Sequence, residues 1–139
     1  MKKYDLCDIQ WRGTDIIKEY LDKAIGWSII PGVASLALHP LIIKMISDMN
    51  KMAGINSSKS FAEELFGAFM ANVVFTPFVS IPIAGVAAAQ ACVKGTGETY
   101  LNAILYAASE ANDKFEPIER ALKRGLKNID DIPKYKFVD

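Results

Sequence analysis

The sequence predicts an all-α domain of about five helices arranged around an apolar helical hairpin turned by proline. Apolar residues recur at three- and four-residue spacing between well-placed helix breakers, and no stretch alternates in the manner of a half-buried strand. At 139 residues the chain suits a single hydrophobic core, and with 51% hydrophobic and 23% charged residues it is too apolar for disorder.

The elements follow in chain order. Ile16, Ile17, Tyr20, Leu21, Ala24 and Ile25 share one face of an amphipathic helix from Trp11 to Trp27, with Asp15, Lys18, Glu19, Asp22 and Lys23 between them and Thr14 placed as its N-cap. Pro31-Gly32 is a turn, and Val33 to Leu38 also suit a helix. Pro40 fits the first turn of a helix running to about Ala53, where Gly54 supplies a left-handed cap. Asn56 and Ser57 open the next helix, Lys59 to about Phe75; Ser60 and Glu63 have capping-box spacing, and Phe61, Leu65, Phe66 and Phe69 fall on its inward face. Pro77 ends that helix. Beyond an elbow at Ile81-Pro82 a long helix runs from about Ile83 to Asn112, and Pro117 starts a short one toward Lys127, capped near Gly125 or Asn128.

Charge is balanced overall, sixteen residues of each sign, so no net field draws in a polyanion and nucleic acid is not an expected partner. Its distribution is uneven. Residues 1–23 carry five charges of each sign, residues 110–139 carry seven of each, and the 86 residues between them carry eight in all. The single domain therefore divides into a charged amphipathic N-terminal segment (1–27), an apolar helical core (28–112) and a charged C-terminal segment (113–139).

Two runs lack any Asp, Glu, Lys or Arg: Ala24 to Ile43, 20 residues, and Leu65 to Val93, 29 residues. Both reach the length of a membrane-spanning helix, yet Pro31, Gly32 and Pro40 break the first and Pro77 and Pro82 the second. Folded at Pro77 to Pro82, the second run gives two arms of about 12 residues, about 18 Å each, short of a hydrocarbon core of roughly 30 Å. Such a hairpin suits shallow insertion into one leaflet. Lys2 and Lys3 are followed by Asp5, Asp8 and Asp15 with no apolar run before Ala24, which is not the pattern of a secretory signal, so the expected location is the cytoplasmic face of a membrane or the cytoplasm itself.

Little in the sequence points to catalysis. Cys7 and Cys92 are far apart and His39 is the one histidine, so neither a disulfide framework nor a zinc site is expected, and no cofactor. His39 before Pro40 suits turn duty, Cys92 a small buried hydrophobe, and Cys7 an exposed thiol without support. Gly95-Thr96-Gly97-Glu98 has the paired glycines of an anion loop, but no strand precedes it and an acid follows where a phosphate site wants Lys. Small residues at four-residue spacing, Gly85, Ala89, Val93 and Gly97, with Ala87, Ala91, Gly95 and Thr99 beside them, instead form a ridge suited to close helix packing or self-association. Lys94 and Glu98 have the spacing of a helical ion pair, and Asn72, in an uncharged run, is expected to satisfy backbone groups near the elbow of Pro77 and Pro82. Arg120, Lys123, Arg124 and Lys127 form a basic cluster that suits a solvated helix end.

Ile30-Pro31-Gly32, Leu41-Ile42-Ile43-Lys44-Met45-Ile46 leading to Met52-Ala53-Gly54-Ile55, Glu64-Leu65-Phe66-Gly67 with Asn72, Ile81-Pro82-Ile83-Ala84-Gly85, the Ala-rich helix and Thr96-Gly97-Glu98-Thr99-Tyr100 follow one another in an order that resembles the GTPase-associated helical family called domain of unknown function 697. The resemblance spans about residues 28–105. It implies a bacterial, membrane-associated helical accessory module beside a GTPase partner, without an activity of its own; this chain has no GxxxxGK[ST] phosphate loop and adds its own charged flanks. Composition and resemblance together lead to the expectation of a non-enzymatic, self-associating, membrane-associated scaffold that contacts lipid. A soluble structural homo-oligomer, as shell or filament subunit, and a pore-forming, toxin-like protein with an inserting hairpin are the alternatives.

Overall fold

The computed structural model describes residues 3–25, 38–72 and 86–132. These residues form five α-helices, α1 (Leu6–Ala24), α2 (His39–Met52), α3 (Lys59–Asn72), α4 (Val86–Lys114) and α5 (Ile118–Lys127), followed by a 3-10 turn at Ile129–Asp131. They are 84% helical with no strand among them, so the fold is all-α.

Breakers and caps set the boundaries. Asp5 caps α1, its side chain accepting from the Asp8 N–H, so the helix starts a full turn before Trp11. Thr14, expected as the cap, lies mid-helix and donates its hydroxyl to the Gln10 carbonyl, because the earlier Asp is the better N-cap. Pro40 sits in the first turn of α2, and Gly54 follows the Ala53 cap with φ of +77°. For α3 the cap is Ser58, whose hydroxyl accepts from the Phe61 N–H while Asn56 accepts from the Ser58 N–H; the Ser60 and Glu63 spacing falls inside the helix. Pro117 precedes α5 and Asn128 ends it.

The long helix α4 is the axis of the packing. Its broadest contacts are with α1 and α5, while α2 packs on α1, α3 and α4. Helix α1 lies antiparallel to α4: the Tyr4 N–H donates to Asn112 at 2.7 Å near one end, and Gln90 donates to the Leu21 carbonyl at 3.3 Å near the other. The six-residue turn 53–58 folds α2 and α3 into an antiparallel pair, with Ser47 donating to the Ser57 carbonyl beside the turn and the His39 ring edge-on to Phe66 at 5.2 Å toward the far end. Of the expected hairpin, Phe69 on α3 meets Tyr100 on α4 with ring centroids 6.3 Å apart, and Pro77, Pro82 and Gly85 lie outside the described residues, as do Pro31 and Gly32.

The charged flanks are built into the core. Ile9, Ile17, Tyr20 and Ala24 of α1 and Ile118, Leu122 and Leu126 of α5 are buried together with Ile42, Met45, Ile46, Leu65, Leu101 and Ile104. A strongly amphipathic segment can be rich in charge and still contribute a full apolar face.

Candidate functional site

The small-residue ridge on α4 is closely packed at Gly97. A Cβ on Gly97 would lie 2.8 Å from Ile17 Cγ1 and 3.3 Å from Met45 Sδ, so α1 and α2 both press on the backbone there. Ala89 is buried, whereas Gly95 is half-exposed. Gly13 is the reciprocal position on α1, where Leu101 of α4 fills the space a side chain would take. Its only sequence signal was a glycine inside an amphipathic helix, which costs about 1 kcal/mol in helix propensity and so needs a packing reason.

Asn50 and Tyr100 form the polar centre of the core. Both are buried, and the Tyr100 hydroxyl donates to Asn50 Oδ1 at 2.6 Å, tying α4 to α2. Asn50 Nδ2 has no hydrogen-bond partner among the described residues. Burial pushes the Tyr100 phenol well above the ordinary tyrosine range. The buried Tyr20 is also raised, by burial first and then by the hydrogen bond it donates to Asp48, which ties α1 to α2. Burial pushes the Cys92 thiol up to about 12 against the smaller opposing effect of the Thr96 hydroxyl, so it is a poor nucleophile. Cys7 is exposed.

The other sites named from the sequence separate in space and role. Lys94 Nζ lies 4.0 Å from Glu98 Oε1 on the surface of α4. Asn72 is the last residue of α3, and its side chain lies outside the described residues. Of the basic cluster, Arg124 pairs with Glu116 and, at 3.6 Å, with Glu110, while Lys123 reaches Glu64 of α3 at 3.6 Å. Among the described residues no group of three or more His, Cys, Asp or Glu is placed to hold a metal ion.

His39 opens a feature the sequence did not reveal, a half-open groove of about 360 Å³ between α2 and α3. Pro40 and Ile43 give it an apolar lining; Lys44, Ser47, Lys59 and Glu63 give it a polar one. Lys59 lies 3.9 Å from Glu63, whereas Lys44 is exposed and has no ion pair among the described residues.

The helix directions also fix which chain ends lie together. Helices α1 and α4 are antiparallel, so the end of α1 at Ala24 and the start of α4 at Val86 share one end of that pair; α2 and α3 are antiparallel, so His39 and Asn72 share one end of theirs. Residues 26–37 connect the first of these ends to the second, and residues 73–85 connect the second back to the first. Both stretches are uncharged and are anchored at the same two places. Among the described residues no helix is long and apolar enough to cross a membrane. No family model matches the chain, and neither a curated protein nor a solved structure does.

Proposed function

We propose that this chain is a non-catalytic helical accessory module that docks on the cytoplasmic face of a membrane through its two uncharged stretches. The shared anchoring of residues 26–37 and 73–85 carries the reading: together they hold Trp27, Ile29, Ile30, Val33, Phe75, Phe78, Ile81 and Ile83 and no charge. Two uncharged stretches of that composition, attached at common helix ends, suit partition into a headgroup and acyl-chain boundary. The charged N- and C-terminal segments belong to α1 and α5, whose outer faces suit water or a protein partner. The resemblance to GTPase-associated helical domains favours a GTPase as that partner. A self-associating assembly would use surfaces other than Gly97, which the chain's own Ile17 and Met45 occupy.

The test is fractionation of cells expressing the full chain. Pelleting with membranes and retention through a high-salt wash are expected. Quantitative recovery in the soluble fraction would overturn the reading in favour of a soluble structural oligomer, and ion leakage from liposomes on addition of the purified protein would replace it with a pore former.

A further inference from the structure

We propose that the groove between α2 and α3 receives the phosphate-bearing headgroup of an anionic phospholipid, with Lys44 as its principal contact. The inference rests on the membrane reading above and adds a lipid class and a site to it.

The groove is placed for a headgroup. It begins at His39, the end of the α2 and α3 pair on which both uncharged stretches are anchored. Lys44 lies about 7.5 Å farther along α2 at 1.5 Å per residue. A bilayer's polar region is roughly 5 to 7 Å thick on each side of the hydrocarbon, so with the His39 end at the acyl boundary the Lys44 backbone falls at the outer edge of that region and its side chain has to reach back into it. The four-carbon stem of lysine adapts such a position by lying along apolar surface, here Pro40 and Ile43, and extending its ammonium to the polar layer.

The charges of the groove select an anion. Glu63 is matched by Lys59 at 3.9 Å, leaving the Lys44 ammonium without a counter-charge among the described residues. Ser47 spends its hydroxyl hydrogen on the Ser57 carbonyl, and the His39 ring is held edge-on against Phe66 at 5.2 Å, so neither outweighs the lysine. A volume of about 360 Å³ is at the scale of small-ligand sites and exceeds what a bare ion needs. An apolar lining beside a cation unpaired among the described residues suits the junction of a phosphate and its glycerol backbone better than a hydrated free anion.

Co-flotation of the full chain with vesicles of phosphatidylcholine alone and of phosphatidylcholine mixed with phosphatidylglycerol tests this. The parent should float with both and partition more strongly into the mixture. Lys44→Gln should lose about fivefold of its partition into the mixture, with its partition into phosphatidylcholine unchanged. Lys44→Arg should restore binding, and Lys51→Gln, two turns farther along α2, should behave as the parent does. Both lysines are exposed, so circular dichroism melts of the variants should coincide with the parent's. If the parent floats with neither vesicle, the membrane reading itself fails and this proposal with it. If it floats equally with both, or if Lys44→Gln and Lys51→Gln lose partition alike, the headgroup site is overturned while the membrane reading stands. If inorganic phosphate raises the parent's melting temperature through Lys44 and phosphatidylglycerol adds nothing to flotation, the groove is a free-anion site and the lipid assignment is wrong.

Discussion

Phe115 has φ of 53°, a left-handed conformation that costs a non-glycine residue about 1 to 2 kcal/mol, and its side chain is 75% exposed. The Glu116 N–H donates to the Ala111 carbonyl across it, which makes Phe115 the residue that ends α4 in the place glycine usually takes. Phe115→Gly should therefore raise stability by about 1 kcal/mol, read as a higher denaturation midpoint at unchanged slope, because relief of strain exceeds the extra chain entropy of glycine. The buried pair shows the opposite sensitivity. Tyr100→Phe leaves Asn50 Oδ1 without its donor, at a cost of about 1 to 3 kcal/mol. Combining it with Asn50→Leu should cost less than the sum of the single changes. The alkaline limb follows the same group. The folded chain holds Tyr100 neutral, so its contribution is full below the ordinary tyrosine pKa of about 10 and is lost as pH rises above it, and Tyr100→Phe should flatten that fall. Cys92 was readable as a small buried hydrophobe and Cys7 as an exposed thiol from the apolar and polar segments that hold them. The Tyr100 and Asn50 bond was not, because it joins residues 50 positions apart and neither has a local motif.

At the scale of elements, helix ends marked by proline or glycine were legible. Pro40, Gly54 and Pro117 stand where the sequence placed them, since each restricts the backbone whatever surrounds it. Side-chain caps were less so: Thr14 and Ser60 have the chemistry of Asp5 and Ser58, and only the competition among neighbouring donors and acceptors decides which one is used. The ridge on α4 announced close packing but not the neighbour, because a stripe of small residues accepts any helix of suitable shape. Its occupant at Gly97 is now specific. Gly97→Leu should cost about 1 to 3 kcal/mol or more by forcing Ile17 and Met45 aside, and Ile17→Ala should recover part of the loss by restoring room. Chemical denaturation of the two single variants and the double variant measures it. If Gly97→Leu is neutral alone, α1 does not press on α4 at that point.

The whole molecule combines charged helix surfaces with uncharged connections, and its response to acid should come from an ion-pair cluster where α4 meets α5. Glu116 is lowered, chiefly by the hydrogen bonds donated by Arg124, with one at 3.3 Å, and Glu110 joins the same cluster through Lys114 at 2.8 Å. A carboxylate held below its ordinary value contributes stability above about pH 4.5 that is lost as pH falls through the lowered value, so Glu116→Gln should flatten the acid limb of a melting-temperature profile.

The block pattern of charge, with both flanks polar and the middle apolar, was plain in the sequence. What it hid is that α1 and α5 contribute whole faces to the core, and that two runs far apart in the chain are anchored at common helix ends; both depend on which helices are antiparallel, a property no local pattern encodes. That arrangement gives the membrane reading its sharpest test at this scale. A charge placed in either uncharged stretch should have the same effect, because the two are proposed to enter one surface. Ile30→Asp and Phe78→Asp should each weaken membrane association by about 2 to 3 kcal/mol if the residue reaches hydrocarbon, seen as loss of the protein from the membrane pellet. Their melting temperatures in solution should stay near the parent's. Were the stretches instead packed as a soluble core, an unpaired buried carboxylate would lower the melting temperature sharply and leave fractionation to follow misfolding. Measuring pellet fraction and melting temperature on the same two variants therefore separates lipid from protein as the solvent of these residues.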